Sequence, residues 1–190
     1  MKRKVSWLVV AAAFLVCAAP ATAAPVPKRD CQSRGEGPQP VRNLARPGDL
    51  QLGPVAFTGL TRVAEPRDFE RFGDRRDGRI LLKMPLKVRA GRVVTVSVRP
   101  LGSAALGLTF VEGVPLGTGV STVKFVACDK DEPSFAHPGG VGPITVFPGG
   151  FTLSEPQCAI VRVRVRGHRF VYTRLVSFGM GQVSGNCDKL

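Results

Sequence analysis

The sequence predicts an all-β fold: a mostly antiparallel, disulfide-bonded β-sandwich, Ig-like or jelly-roll-like, of about eight strands. Three observations predict it. Apolar residues alternate with polar ones in several short runs, the period of a half-buried strand. Glycine- and proline-rich turns separate those runs at intervals of roughly 8 to 12 residues. Helical periodicity is nearly absent, and 22 glycines and 16 prolines interrupt a chain of 190 residues.

The chain opens with Lys2, Arg3 and Lys4, an apolar run from Val5 to Ala19, and the small residues Ala21, Thr22 and Ala23. A basic start, a short apolar middle and a small-residue cut site make a secretory signal peptide. The run falls short of the ~20 residues that a membrane-spanning helix needs. Residues 1–23 are therefore read as a leader cut after Ala23, and no transmembrane segment is expected in the mature protein. Cys17 follows Val16, which is larger than a lipoprotein site normally accepts, so this cysteine is read as lost with the leader. The expected location is extracellular or at the cell envelope.

Residues 24–48 are rich in proline, glycine and charge, with no period of either kind. They read as an extended N-terminal arm, pinned at Cys31. Residues 49–190 read as the sandwich domain. Its first strand-like segment, 50–60, is interrupted by Gly53 and Pro54. Residues 65–79 carry equal numbers of acids and bases and read as a solvated linker, with Phe69 and Phe72 anchored in the core. Pro66 suits the first turn of a short helix there. In 80–88, Leu82, Met84, Leu86 and Val88 point one way and Lys83, Pro85 and Lys87 the other. After a short turn at 89–92, the run 93–98 points Val94, Val96 and Val98 inward. Together these two segments read as a hairpin. Further strands are expected at 105–111, 119–128, 144–153, 158–166 and 169–179, with a long irregular loop after Cys128.

The stretch 158–170, CAIVRVRVRGHRF, is the most regular of all. Successive strand side chains point to opposite faces. Val161, Val163 and Val165 therefore belong to the core, and Arg162, Arg164 and Arg166 to solvent. The same rule puts Lys83, Lys87, Arg89 and Arg99 on outer faces, so these seven residues are the candidate anion-binding set. The charge agrees. The leader takes three of the 27 basic residues and no acid, leaving 24 against 14 and a net charge of +10. A solvated face that deters strand-edge aggregation is the alternative role for the same cations.

Other chemistry finds little support. His168 lies among arginines with no carboxylate to orient it. His137 lies in the long loop near Asp129, Asp131 and Glu132, the raw material for a hydrolase, but no Gly-x-Ser-x-Gly elbow accompanies it. The run 129–132 lacks the glycine and distal glutamate of a calcium loop. Neither a catalytic residue nor a cofactor is assigned. Trp7 leaves with the leader, Tyr172 is the single tyrosine, and most phenylalanines suit a core. Stacking on single-stranded nucleic acid is therefore poorly supported, and no sequence-specific nucleic acid partner is expected.

Cys31, Cys128, Cys158 and Cys187 remain after the leader. In an oxidising compartment they make two disulfides. Their wide spacing, with no CxxC, argues against a metal site. Three pairings are open, and the expected one is Cys128 with Cys158 and Cys31 with Cys187.

The ordered set KVRAGRVVTVSV, VKFVAC, VFPGGF and CAIVRVRV resembles uncharacterised small secreted proteins of actinobacteria with no established activity. The resemblance spans roughly residues 50–178. It implies export and a β-rich domain, and carries over no catalytic residue. The expected function is a non-enzymatic binding module whose basic face takes an anionic polymer, a lipid head group or an acidic protein. The alternative is a structural or protein-interaction domain using the 129–150 loop, with a secreted hydrolase behind it.

Overall fold

The computed structural model describes residues 25–35, 37, 40–113, 118–134, 136–181 and 187. The expected leader, with Cys17, and Phe135 lie outside the described residues. In chain order the strands are β1 (Lys28–Arg29), β2 (Leu50–Leu52), β3 (Val55–Phe57), β4 (Gly73–Arg76), β5 (Arg79–Lys83), β6 (Leu86–Arg89) and β7 (Val93–Pro100). They continue with β8 (Leu106–Leu108), β9 (Thr122–Val126), β10 (Ile144–Phe147), β11 (Gly150–Leu153), β12 (Gln157–Val165) and β13 (Val171–Phe178). One short α-helix, α1, spans Pro66–Phe72. The all-β, mostly antiparallel sandwich is thus borne out, with more and shorter strands than the expected eight.

The alternating valines build the first layer. This five-stranded sheet has the order β1-β9-β7-β12-β13. β12 lies between β7 and β13, and across from β7 Val161 lies opposite Val98, Val163 opposite Val96 and Val165 opposite Val94. All six of these valines are buried. Each such side chain contributes about 1.5 to 3 kcal/mol on leaving water. The sheet is antiparallel except at one edge, where β1 runs parallel to β9, Lys28 beside Lys124.

The second layer is one long ladder bent in the middle. β5 pairs with β11 and β6 with β10 in a single unbroken register. Lys83 faces Gly150, the Met84 N–H donates to the Gly149 carbonyl at 2.9 Å, and Leu86 faces Phe147. Pro85 on one strand and Pro148 on the other each lack the N–H that would continue the ladder. The expected strands 80–88 and 144–153 are therefore each split in two, and the halves belong to two four-stranded sheets, β10-β6-β3-β2 and β4-β5-β11-β8. Glycine makes the bend possible. A β-carbon at Gly150 would collide with the Leu82 carbonyl oxygen. At Gly149 the backbone takes φ of 151°, and a side chain would meet the Phe110 ring.

The two layers meet through aromatic pairs. Phe125 on β9 lies 5.1 Å from Phe147 on β10, and Phe178 on β13 lies 5.2 Å from Phe151 on β11, ring centre to ring centre. The expected hairpin of 80–88 with 93–98 does not form. β6 and β7 lie in different layers, so the turn at 89–92 carries the chain across the sandwich. Both segments still bury the residues that alternation assigned to the core. The stretch 65–79 is not a linker either: it forms α1, with Pro66 in the first turn, and then β4 against β5. Phe69 anchors it in the core, whereas Phe72 is exposed, with the Arg71 guanidinium 5.5 Å from its ring centre.

The disulfides join Cys31 to Cys128 and Cys158 to Cys187, which corrects the expected pairing. β7 gives the reason. Cys128 lies at the end of β7 where Ala127 N–H meets Arg92, and Cys158 at the other end, where its carbonyl takes the Leu101 N–H. A strand of that length spans more than ~20 Å, far beyond the ~7 Å that a disulfide can bridge between α-carbons. The parallel pairing of β1 with β9 instead delivers Cys31 to Cys128.

Candidate functional site: the outer face of the five-stranded sheet

Strand parity decides which side chains share this face. With the valines of β12 turned inward, Arg162 and Arg164 must turn outward, and both are exposed. Arg162 stands between Ser97 on β7 and Thr173 on β13. Arg164 stands between Thr95 and Val171. Arg166 follows at the strand end, its N–H held by the Val93 carbonyl at 2.8 Å. Arg99, opposite Ile160, is exposed on the same face. Arg162, Arg164, their neighbours Thr95, Ser97, Val171 and Thr173, and Thr122 border a shallow depression of about 500 Å³.

Two further cations, which the candidate set omits, extend the face. Lys124 sits opposite Thr95 on β9, and Lys28 lies beside it on β1. The pattern Val123-Lys124-Phe125 carries the same signal as the arginine strand. Lys28 is paired with Asp30 at 3.3 Å. Among the described residues, none of Arg99, Arg162, Arg164 and Arg166 forms an ion pair. No acidic residue occurs within β7, β9, β12 or β13.

Such a face can persist without a ligand. Arginines two apart on a strand sit about 7 Å from each other, which costs about 0.6 kcal/mol in bulk water. Guanidinium forks beside small hydroxyl side chains are suited to phosphate or carboxylate oxygens, which accept several donors at once.

The remaining candidates lie elsewhere. Lys83 is exposed on β5, and Arg89 is exposed at the end of β6, both in the other layer. Lys87 is the correction. It is buried, and its Nζ lies 2.9 Å from Asp49 Oδ2. Its side of β6 is covered by a second small apolar cluster of Leu44, Ala56 and Ile144, with Val41 and Ala45 packed on it. Burial pushes the Asp49 carboxyl upward. Hydrogen bonds from Lys87 and from the Gly59 and Arg46 N–H groups, with the charge of Lys87, outweigh that and hold it below the usual aspartate range.

His137 lines a separate cavity of about 290 Å³ with Arg34, Pro40, Val41, Val141 and Ile144, where the N-terminal arm meets the long loop. Ser134 is tied to His137 through the backbone. Its Oγ accepts the His137 N–H at 3.0 Å, and its own N–H donates to the His137 carbonyl at 3.1 Å. His168 is exposed in the turn after β12. Among the described residues no group of three His, Cys, Asp or Glu side chains could hold a metal, and no helix is long and apolar enough to cross a membrane. No protein family, curated protein or solved structure matches this chain.

Proposed function

We propose that this protein is a secreted, non-enzymatic binding module, and that the outer face of its five-stranded sheet captures partners dense in phosphate or carboxylate. The observation that carries this is the acid-free sheet face on which, among the described residues, Arg99, Arg162, Arg164 and Arg166 stand without ion pairs. Two disulfides support a place outside the reducing cytosol. A positive field of this kind concentrates anionic partners and is screened by salt.

Retention on immobilised poly(glycerol phosphate) tests the proposal. From roughly 0.1 M to roughly 1 M salt the screening length falls from about 10 to about 3 Å, and retention is expected to collapse over that range. The R162S/R164S/R166S protein is expected to bind at least about tenfold more weakly while unfolding at the same temperature. Salt-insensitive retention, or unchanged affinity in that variant, sinks the proposal.

A further inference from the structure

The hairpin of β12 and β13 ends in a tip whose composition differs from the rest of the surface. Every residue from Arg166 to Arg174 is exposed. Among the described residues five large hydrophobic side chains are exposed, and three of them are consecutive here: Phe170 at 70%, Val171 at 42% and Tyr172 at 39%. Scattered exposed apolar residues need no explanation, but a contiguous set does.

Arg166 makes the last backbone contact with β7, and the chain then turns at Gly167, with φ of 81° and open space where a side chain would stand. His168, Arg169 and Phe170 lie beyond that turn. Val171, opposite Arg164, joins the basic face, whereas Tyr172 is on the other side of the ribbon with its ring over Gly53. The charge around these apolar residues has one sign. No acid occurs in the sequence between Glu155 and Asp188, a stretch holding Arg162, Arg164, Arg166, Arg169 and Arg174. The acids at this end of the sheet, Asp129 and Asp131, follow β9, on the far side of β7 from the hairpin.

We infer that this tip is a docking element for an anionic lipid bilayer: Phe170 and Val171 enter the interface while Arg164, Arg166 and Arg169 rest on the phosphates. Charge complementarity favours this occupant. A bilayer offers both what the tip has, an apolar layer for the two side chains and a sheet of negative charge for the cations around them. A soluble polyanion leaves Phe170 in water. A second copy of the chain would set arginines against arginines. The inference rests on the basic-face reading for its charge and adds to it the partner and the point of entry.

The test uses the exported protein, from which the leader and Trp7 have been cut, with vesicles of phosphatidylglycerol, vesicles of phosphatidylcholine, and soluble poly(glycerol phosphate). Co-sedimentation with phosphatidylglycerol vesicles is expected, and none with phosphatidylcholine. F170S/V171S is expected to lower vesicle partitioning about tenfold or more, the scale of two apolar side chains left in water, with binding to the soluble polymer unchanged. R169S is expected to weaken vesicle binding roughly fivefold, the effect of one cation near such a surface. In F170W the new indole is expected to shift its emission to the blue on vesicles and to be shielded from a water-soluble quencher. Equal vesicle binding by F170S/V171S and the unsubstituted protein, or an F170W emission that stays unshifted, overturns the inference while leaving the basic face standing. Loss of single-stranded DNA binding in F170S/V171S, without vesicle partitioning, overturns it in favour of base stacking. Failure of the unsubstituted protein to bind the soluble polymer is a failure of the basic-face reading itself.

Discussion

Lys87 on β6 and Arg164 on β12 are written alike in the sequence: a cation between apolar neighbours, in Leu-Lys-Val and Val-Arg-Val. Both sit on interior strands of their sheets, and both turn away from the main core. Yet Lys87 is buried against Asp49, and Arg164 stands in solvent. The difference lies in what passes over the second face. Residues 41–45 of the N-terminal arm cover β6, and among the described residues no such segment covers the arginine face of β12. Alternation says which residues share a face. Whether that face is wet depends on segments remote in sequence, and so does the meaning of the charge. A covered cation needs a fixed partner; an uncovered one is available.

Three measurements break or sharpen this contrast. The largest effect is expected across the two sides of β12 itself. V163D places an unpaired charge in the core and should cost about 5 kcal/mol or more, leaving no folded protein. R164S should stay within about 0.5 kcal/mol of the starting protein in a denaturant melt. Comparable losses in the two would mean that the arginine face is not free.

Next comes the covering arm. Removing the Cys31–Cys128 bridge with C31S/C128S should cost about 4 to 5 kcal/mol by the chain-entropy estimate for a loop of 97 residues. It should also expose Lys87 to amine-labelling reagents, read by mass spectrometry. A Lys87 that stays protected would show that the arm holds its place without the bridge. The smallest effect concerns the pair. D49A strands the Lys87 ammonium and should cost about 3 kcal/mol. The Asp49 carboxyl is held below its ordinary range, so its stabilising effect is complete above about pH 4 and lost as the pH falls through the lowered value. An acid titration of stability should therefore be shallower in D49A than in the unsubstituted protein. Curves that run parallel would remove Asp49 from the account.

What could be read from the sequence was local. The inward valines of β7 and β12, the outward Arg99, Arg162, Arg164 and Arg166, and the Pro66 start of α1 follow from period and backbone preference over a few residues. Partner choice was not local. Residues 80–88 and 93–98 have the pattern of a hairpin, but the same pattern suits two strands in opposite layers joined by an arch. The disulfides were unreadable for the same reason: the parallel docking of Lys28–Arg29 on β9, which brings Cys31 to Cys128, leaves no mark in a two-residue strand. The bends at Pro85 and Pro148 were marked by prolines in the sequence, though the runs around them read as continuous. Phe170 was missed because a phenylalanine at the start of an apolar strand-like run looks like a core residue until its exposure is known.

The order in which β7 acquires neighbours has a consequence for biogenesis. The chain completes β7 at Pro100, but one of its two flanking strands begins only at Gln157. Until that late segment emerges, Val94, Val96 and Val98 lie along an edge with nothing alongside, the kind of template on which nascent chains clump. Under the proposed export, threading across a membrane before folding would bring the last strand and the oxidant that seals Cys158 to Cys187 together on the same side.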